Sequence, residues 1–171
     1  MDQNDAYRLE DHQAFEDLVM AHRQDAERFA YKILRDVHAC EDIVQDSFVA
    51  LYINRKKYKK KYSIKTYLYT IIRNKCIDHV RKQSRLIMTE DLMVTNEESP
   101  ETLYLLKEKK TGLYKALDQI HKPYKLAIDL VDLEGLSYKE AAKIMDMSLS
   151  AFKVSLMRGR KQLKKQLEGV T

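Results

Sequence analysis

The 171-residue sequence predicts an all-α protein of two small helical domains joined by a linker, the C-terminal one a helix-turn-helix. Three observations predict it. Only 4 Gly and 2 Pro punctuate the chain, too few breakers for a set of short strands. Apolar residues recur at intervals of three and four over long stretches, the period of a helix with one buried face. Residues 135–148, GLSYKEAAKIMDMS, carry a helix start, a stop and a second start in close succession. With 44% hydrophobic residues the chain has enough apolar material for a core, and its length suits two small domains.

The first helix is expected over residues 12–35, with Phe15, Leu18, Val19, Ala26, Phe29, Ala30 and Ile33 on one face. Arg35, Asp36, Val37 and His38 make a short polar connector to a second helix over 39–53, which buries Ile43, Val44, Phe48, Leu51 and Tyr52. The run RKKYKKKYS that follows is too charged to bury and predicts an exposed loop. Ser63 then caps a third helix reaching about residue 85, with Leu68, Ile71, Ile72, Cys76 and Val80 turned inward. Residues 86–101 lose the period and become acidic, so the domains are placed at 1–86 and 103–171 with a linker over 87–102. In the second domain Leu103, Leu106, Leu113, Leu117 and Ile120 predict one helix. Pro123 opens another at the tolerated first-turn position, and Gly135 ends it.

Residues 137–167 carry the strongest local signal. Ser137 and Glu140 form a capping box at the start of a short helix that stops near Asp146, a residue that tolerates positive φ where Gly is usual. Ser148 caps a second helix over 149–167. Small Ala142 permits close approach, and Phe152 plugs the angle between the helices. Such a unit sets its second helix in a DNA major groove. That helix carries Lys153, Arg158, Arg160, Lys161, Lys164 and Lys165. Ser148, Ser150 and Lys153 face base edges and phosphates, and Arg158 suits a phosphate or a guanine.

The net charge of +5 is unevenly spread: −7 over residues 1–52, +11 over 53–85, −4 over 86–136 and +5 over 137–171. Two basic blocks on helix motifs point to two anion-binding surfaces, and the acidic opening points to a third surface for something else. On the second helix Asp42, Gln45 and Asp46 cluster opposite the core face, and no Lys or Arg occurs between Arg35 and Arg55. That is an acidic docking surface for a basic partner, or a plain solvated face. On the third helix Asn74, Asp78, Arg81 and Arg85 recur at four, three and four. Tyr58, Tyr62, Tyr67 and Tyr69 lie among or beside its cations, a pairing that suits unstacked bases or, for Tyr67 and Tyr69, half-buried packing.

Three segments, in order, resemble the extracytoplasmic-function (ECF) sigma factors. RDVHACEDIVQDSFVALY resembles their second conserved region, and YSIKTYLYTIIRNKCIDHVRKQSR their promoter-melting and minus-ten-reading segment. GLSYKEAAKIMDMSLSAFKVSLMRGRKQLKKQL resembles their minus-thirty-five-reading helix-turn-helix. The resemblance implies that Asp42, Gln45 and Asp46 dock on the coiled coil of the largest subunit of RNA polymerase core. It implies that Tyr67, Arg73, Asn74, Asp78 and Arg81 hold the opened minus-ten strand. It assigns Ser148, Ser150, Ala151, Lys153 and Arg158 to the minus-thirty-five element. It also implies promoter DNA as ligand, an anti-sigma factor as regulator, and no cofactor or small-molecule substrate. Three departures stand out: Tyr67 where many relatives have Trp, Ala151 for Thr, and Val154-Ser155 for a Ser-Arg pair. Loss of that Arg removes a phosphate or base contact and predicts an altered upstream sequence.

A stand-alone helix-turn-helix repressor or activator is the alternative; it explains residues 137–171 but neither the acidic stripe nor the basic third helix. An enzyme on nucleic acid fares worse, because no Walker A loop, GxGxxG or HExxH occurs and the five His do not cluster with carboxylates at metal spacing. Cys40 and Cys76 form no CxxC pair, so neither a metal knuckle nor a disulfide framework is expected. The N-terminal stretch lacks the features of a signal peptide and no apolar run is long enough to span a bilayer. A cytoplasmic protein without direct membrane insertion is the expectation.

Overall fold

The computed structural model describes residues 11–58, 61–89 and 112–169, and among these all regular structure is helical. The chain divides into two compact units, Met1–Asn96 and Glu97–Thr171.

In the first unit three helices, α1 His12–Leu34, α2 Val37–Ile53 and α3 Ile64–Thr89, pack pairwise on one another. Asp11 opens α1 by accepting a hydrogen bond from the Gln13 amide at 3.0 Å. Arg35, at φ 59°, closes it with an amide bond to the Tyr31 carbonyl at 3.1 Å. The connector to α2 is two residues, not the expected four, because Asp36 is itself the N-cap of α2 and takes the Ala39 amide at 3.0 Å. Ser63 caps α3 as expected, through the Thr66 amide at 3.2 Å.

The core of this unit joins Leu18, Ala26, Phe29 and Ala30 of α1 to Cys40, Ile43, Val44, Phe48 and Leu51 of α2 and to Ile64, Leu68, Tyr69, Ile72 and Cys76 of α3. Tyr52 is only half-buried. Val80, expected inward, is 42% exposed. Cys76 is the last buried residue of α3 through residue 87, residues 80–87 are all exposed, and the helix runs to Thr89 into the stretch expected as linker. A hydrophobic period therefore persisted beyond the end of the core.

In the second unit, α4 Gly112–Asp118 and α5 Lys122–Ile128 precede α6 Tyr138–Ile144 and α7 Leu149–Glu168. Leu103 and Leu106 lie outside the described residues. Pro123 sits in the first turn of α5, and the helix continues as a π-turn, Asp129–Leu133, closed by the Glu134 amide on the Asp129 carbonyl at 2.9 Å. Gly135, at φ 70°, ends it as expected.

The capping box of α6 is complete: Ser137 Oγ accepts from the Glu140 amide and the Glu140 carboxylate accepts from the Ser137 amide. Asp146 adopts φ 53°, while the Met147 amide reaches the Ala142 carbonyl and the Asp146 amide the Lys143 carbonyl, a Schellman closure of α6. Phe152 is fully buried with its ring 6.2 Å from Tyr138. At Gly159 a β-carbon would stand 3.0 Å from the Tyr124 carbonyl oxygen, so a residue without one lets α7 lie close against α5.

Candidate nucleic-acid interface

Three faces hold the residues singled out in the sequence. On α2 the buried row Cys40, Ile43, Val44, Ser47 and Phe48 fixes the helix rotation and leaves Asp42, Gln45 and Asp46 exposed together. Ser47 is accommodated in the core by donating to the Ile43 carbonyl at 2.6 Å. Neither Asp42 nor Asp46 pairs with a cation among the described residues. The exposed face therefore presents uncompensated negative charge.

On α3 the buried positions Leu68, Ile72 and Cys76 turn Tyr67, Asn74, Asp78, Arg81 and Arg85 to the opposite side, at steps of seven, four, three and four. Arg73 stands on the flank of this stripe, half-buried, 3.4 Å from the Asn74 side chain. Arg81 and Asp78 approach to 3.9 Å, a contact so exposed that water competes with it freely. The four tyrosines separate. Tyr69 is fully buried and stacked on Phe29, with ring centroids 4.3 Å apart and planes 9° from parallel, so it is a core residue and offers no face to a base. Tyr58 and Tyr67 meet edge to face at 5.7 Å, both half-buried, and Lys61 lies over the half-buried Tyr62. Lys59 and Lys60 of the basic run lie outside the described residues; Arg55 folds back over the Tyr52 ring at 4.1 Å.

On α7 the buried set Phe152, Ser155, Leu156 and Gly159 faces the unit. Ser148, Ser150, Ala151, Lys153 and Arg158 are all exposed. Ser148 is engaged as the N-cap, its Oγ accepting the Ala151 amide at 3.2 Å and lying 3.3 Å from Ser150 Oγ. Arg158 is held by the Tyr124 hydroxyl at 3.4 Å.

Two expectations change here. Arg160, counted among the cations offered to DNA, is clamped by Asp132 through Nε at 3.1 Å and Nη2 at 2.6 Å, and by the Tyr138 hydroxyl at 3.3 Å. The hydrogen bond to Asp132, then that to Tyr138, raises its pKa above the ordinary guanidinium value. It ties α7 to the π-turn and to α6. Ser155 is buried, so its position looks into the unit, and a lost exposed contact there is not what distinguishes this helix; Val154 beside it is exposed. Neither Tyr124 nor Asp132 stood out in the sequence, since partners 34 and 28 residues away carry no local spacing signal.

Among the described residues, no group of three or more His, Cys, Asp or Glu is placed to hold a metal ion, and no helix is long and apolar enough to cross a membrane. Cys40 and Cys76 are free and buried, and burial pushes both thiols up to about 12.

One chain thus carries an acid-faced helix, a basic aromatic-flanked helix and a cationic helix-turn-helix, surfaces suited to a basic partner and to nucleic acid. Comparison with known proteins supplies the family. Residues 7–86 match the Sigma-70 region 2 family and residues 111–163 the Sigma-70, region 4 family. Over 154 residues the chain is 30% identical to the ECF RNA polymerase sigma factor SigM of Bacillus subtilis (strain 168), covering 87% of this chain and 92% of that one. To SigW of the same organism it is 28% identical, over 92% of this chain and 90% of that protein. The fold is also that of the sigma factor RpoE of Bartonella quintana, solved with the anti-sigma factor NepR, at a TM-score of 0.71 and 23% identity over 90% of this chain and 96% of that one. The chain belongs to the ECF sigma factors of RNA polymerase, a family that is regulatory rather than catalytic.

Proposed function

We propose that this chain joins RNA polymerase core and directs initiation at a particular set of promoters, with each of the three faces taking one part. Residues 1–86 form the docking and minus-ten domain, 87–102 the linker, and 103–171 the minus-thirty-five domain. The exposed Asp42, Gln45 and Asp46 meet the coiled coil of the polymerase's largest subunit. Tyr67, Asn74, Asp78 and Arg81, with Arg73 at their flank, take the separated minus-ten strand. There unstacking costs a few kcal/mol per step, which aromatic and cationic contacts offset. The α7 face with Ser148, Ser150, Ala151, Lys153 and Arg158 enters the upstream major groove.

The observation that carries this reading is the division of charge by helix. The exposed Asp42–Gln45–Asp46 face is free of cations, while the outward faces of α3 and α7 carry the Lys and Arg. A helix surface kept only for solubility mixes both signs. The stand-alone repressor or activator accounts for the second unit alone and leaves the region-2 match over residues 7–86 without a role. Control by an anti-sigma factor is supported by the neighbour solved in complex with one. Run-off transcription over a promoter library, with purified core polymerase, is the test. Transcripts that appear from a subset of templates only when this chain is added support the reading, and a transcript pattern indifferent to it refutes the proposal.

A further inference from the structure

The burial pattern of α7 fixes which residues stand furthest from the unit. With Phe152, Ser155, Leu156 and Gly159 facing inward, the opposite ridge at steps of four, three and four is Ser150, Val154, Met157 and Lys161. Lys153 and Lys164 lie along one side of that ridge and Arg158 and Lys165 along the other, all exposed. Val154 is 41% and Met157 62% exposed, adjacent at an i, i+3 spacing. A single exposed apolar side chain is ordinary. Two neighbours on the crest of a helix whose flanks are lined with cations are in a different position. When such a helix enters a groove, its flanks meet phosphates and its crest meets base edges. A crest of apolar groups gains there only against an apolar surface, and the one apolar group on the floor of the major groove is the C5-methyl of thymine.

We propose that Val154 and Met157 read thymine methyl groups in the upstream promoter element, so that apolar contact at the crest helps to set this chain's sequence preference while the flanking cations hold the phosphates. The proposal rests on α7 being the recognition helix. It commits the crest to duplex DNA because the cations that line both sides of it complement the two phosphate backbones of a groove.

Deoxyuridine tests it, since it keeps the O4 acceptor of thymine and lacks only the methyl. The upstream element is selected from a randomised library with full-length chain and core polymerase, and each thymine in it is then replaced singly by deoxyuridine. Loss of a buried methyl lowers open-complex formation about fourfold at one or two adjacent positions. Val154→Ser and Met157→Gln, surface changes checked by thermal melting, each abolish the thymine-to-deoxyuridine difference at their own position. A selected element without thymine, a flat deoxyuridine scan, or variants that still discriminate overturn the assignment. If transcription still depends on the upstream element in those cases, only the crest contact fails. If it ceases to depend on the element at all, the reading of α7 fails with it.

Discussion

Arg160 shows how a residue type misleads when its partners are distant in sequence. Its guanidinium is occupied by Asp132 and Tyr138, so its charge serves packing of α7 before it serves DNA. The pair is 45% and 36% exposed, which limits its worth to about 1 kcal/mol, and in a domain this small that moves the melting temperature by roughly 4–8 °C. Arg160→Ala and Asp132→Ala should therefore lower the melting temperature alike and depress initiation alike. Thermal melts that stay unchanged while only the arginine variant loses initiation would return Arg160 to the DNA face. The cysteines carry a second prediction. Thiols that ionise near 9 when unfolded and near 12 when folded keep their protons longer in the native state, so unfolding gains from deprotonation as pH rises above about 9. Their protonated, buried state is fully compatible with folding below that pH, and stability falls between 9 and 12. Denaturant titrations across that window should show the loss, and Cys76→Ala should flatten it. Below pH 9 native protein should leave both thiols unlabelled by an alkylating reagent.

At the scale of the element, the roles proposed for α2 and α7 differ, and variants on each should fail differently. Reversing both charges on the exposed face, Asp42→Lys with Asp46→Lys, touches no buried group. The circular dichroism spectrum should be unchanged while core binding in a pull-down falls by tenfold or more, the scale expected when like charges replace opposite ones at an interface. Unaltered core affinity would remove α2 from the docking role. Lys153→Ala should leave core binding intact and weaken initiation at promoters that need the upstream element; if no promoter responds, α7 is not reading it. The helices themselves are legible because capping and period are local: Ser63, Ser137 and Ser148 each cap a helix start, and the positive φ at Asp146 follows from a stop signal without glycine. What the sequence hid was of longer range. Nothing local marks where a core stops, so the period places Val80 inward although the core has already ended. Tyr69, stacked on Phe29, stands three before Ile72 and seven before Cys76 and so shares their inward face by local spacing, which Tyr67 two residues earlier does not.

For the whole molecule the uneven distribution of charge bears on when it should bind DNA. The chain's +5 is the remainder of an acidic segment at −7 and basic segments at +11 and +5. If the acidic segment repels the duplex that the basic segments attract, a basic partner that covers it should relieve the repulsion. The isolated chain should therefore bind duplex DNA weakly and without regard to sequence. Its affinity is expected to be governed by release of the counterions condensed on the DNA phosphates that the exposed Lys153, Arg158, Lys161, Lys164 and Lys165 neutralise. About five phosphate contacts imply a loss of a few hundredfold between 50 and 200 mM salt. Fluorescence anisotropy of the full chain on promoter and scrambled duplexes should give the same steep slope for both. Adding core polymerase should split the two curves, the promoter complex becoming tighter and less dependent on salt as base contacts join the phosphate contacts. Tight and promoter-specific binding by the isolated chain, unchanged when core is added, would mean that the acidic face plays no part and that the second unit works as a self-sufficient regulator.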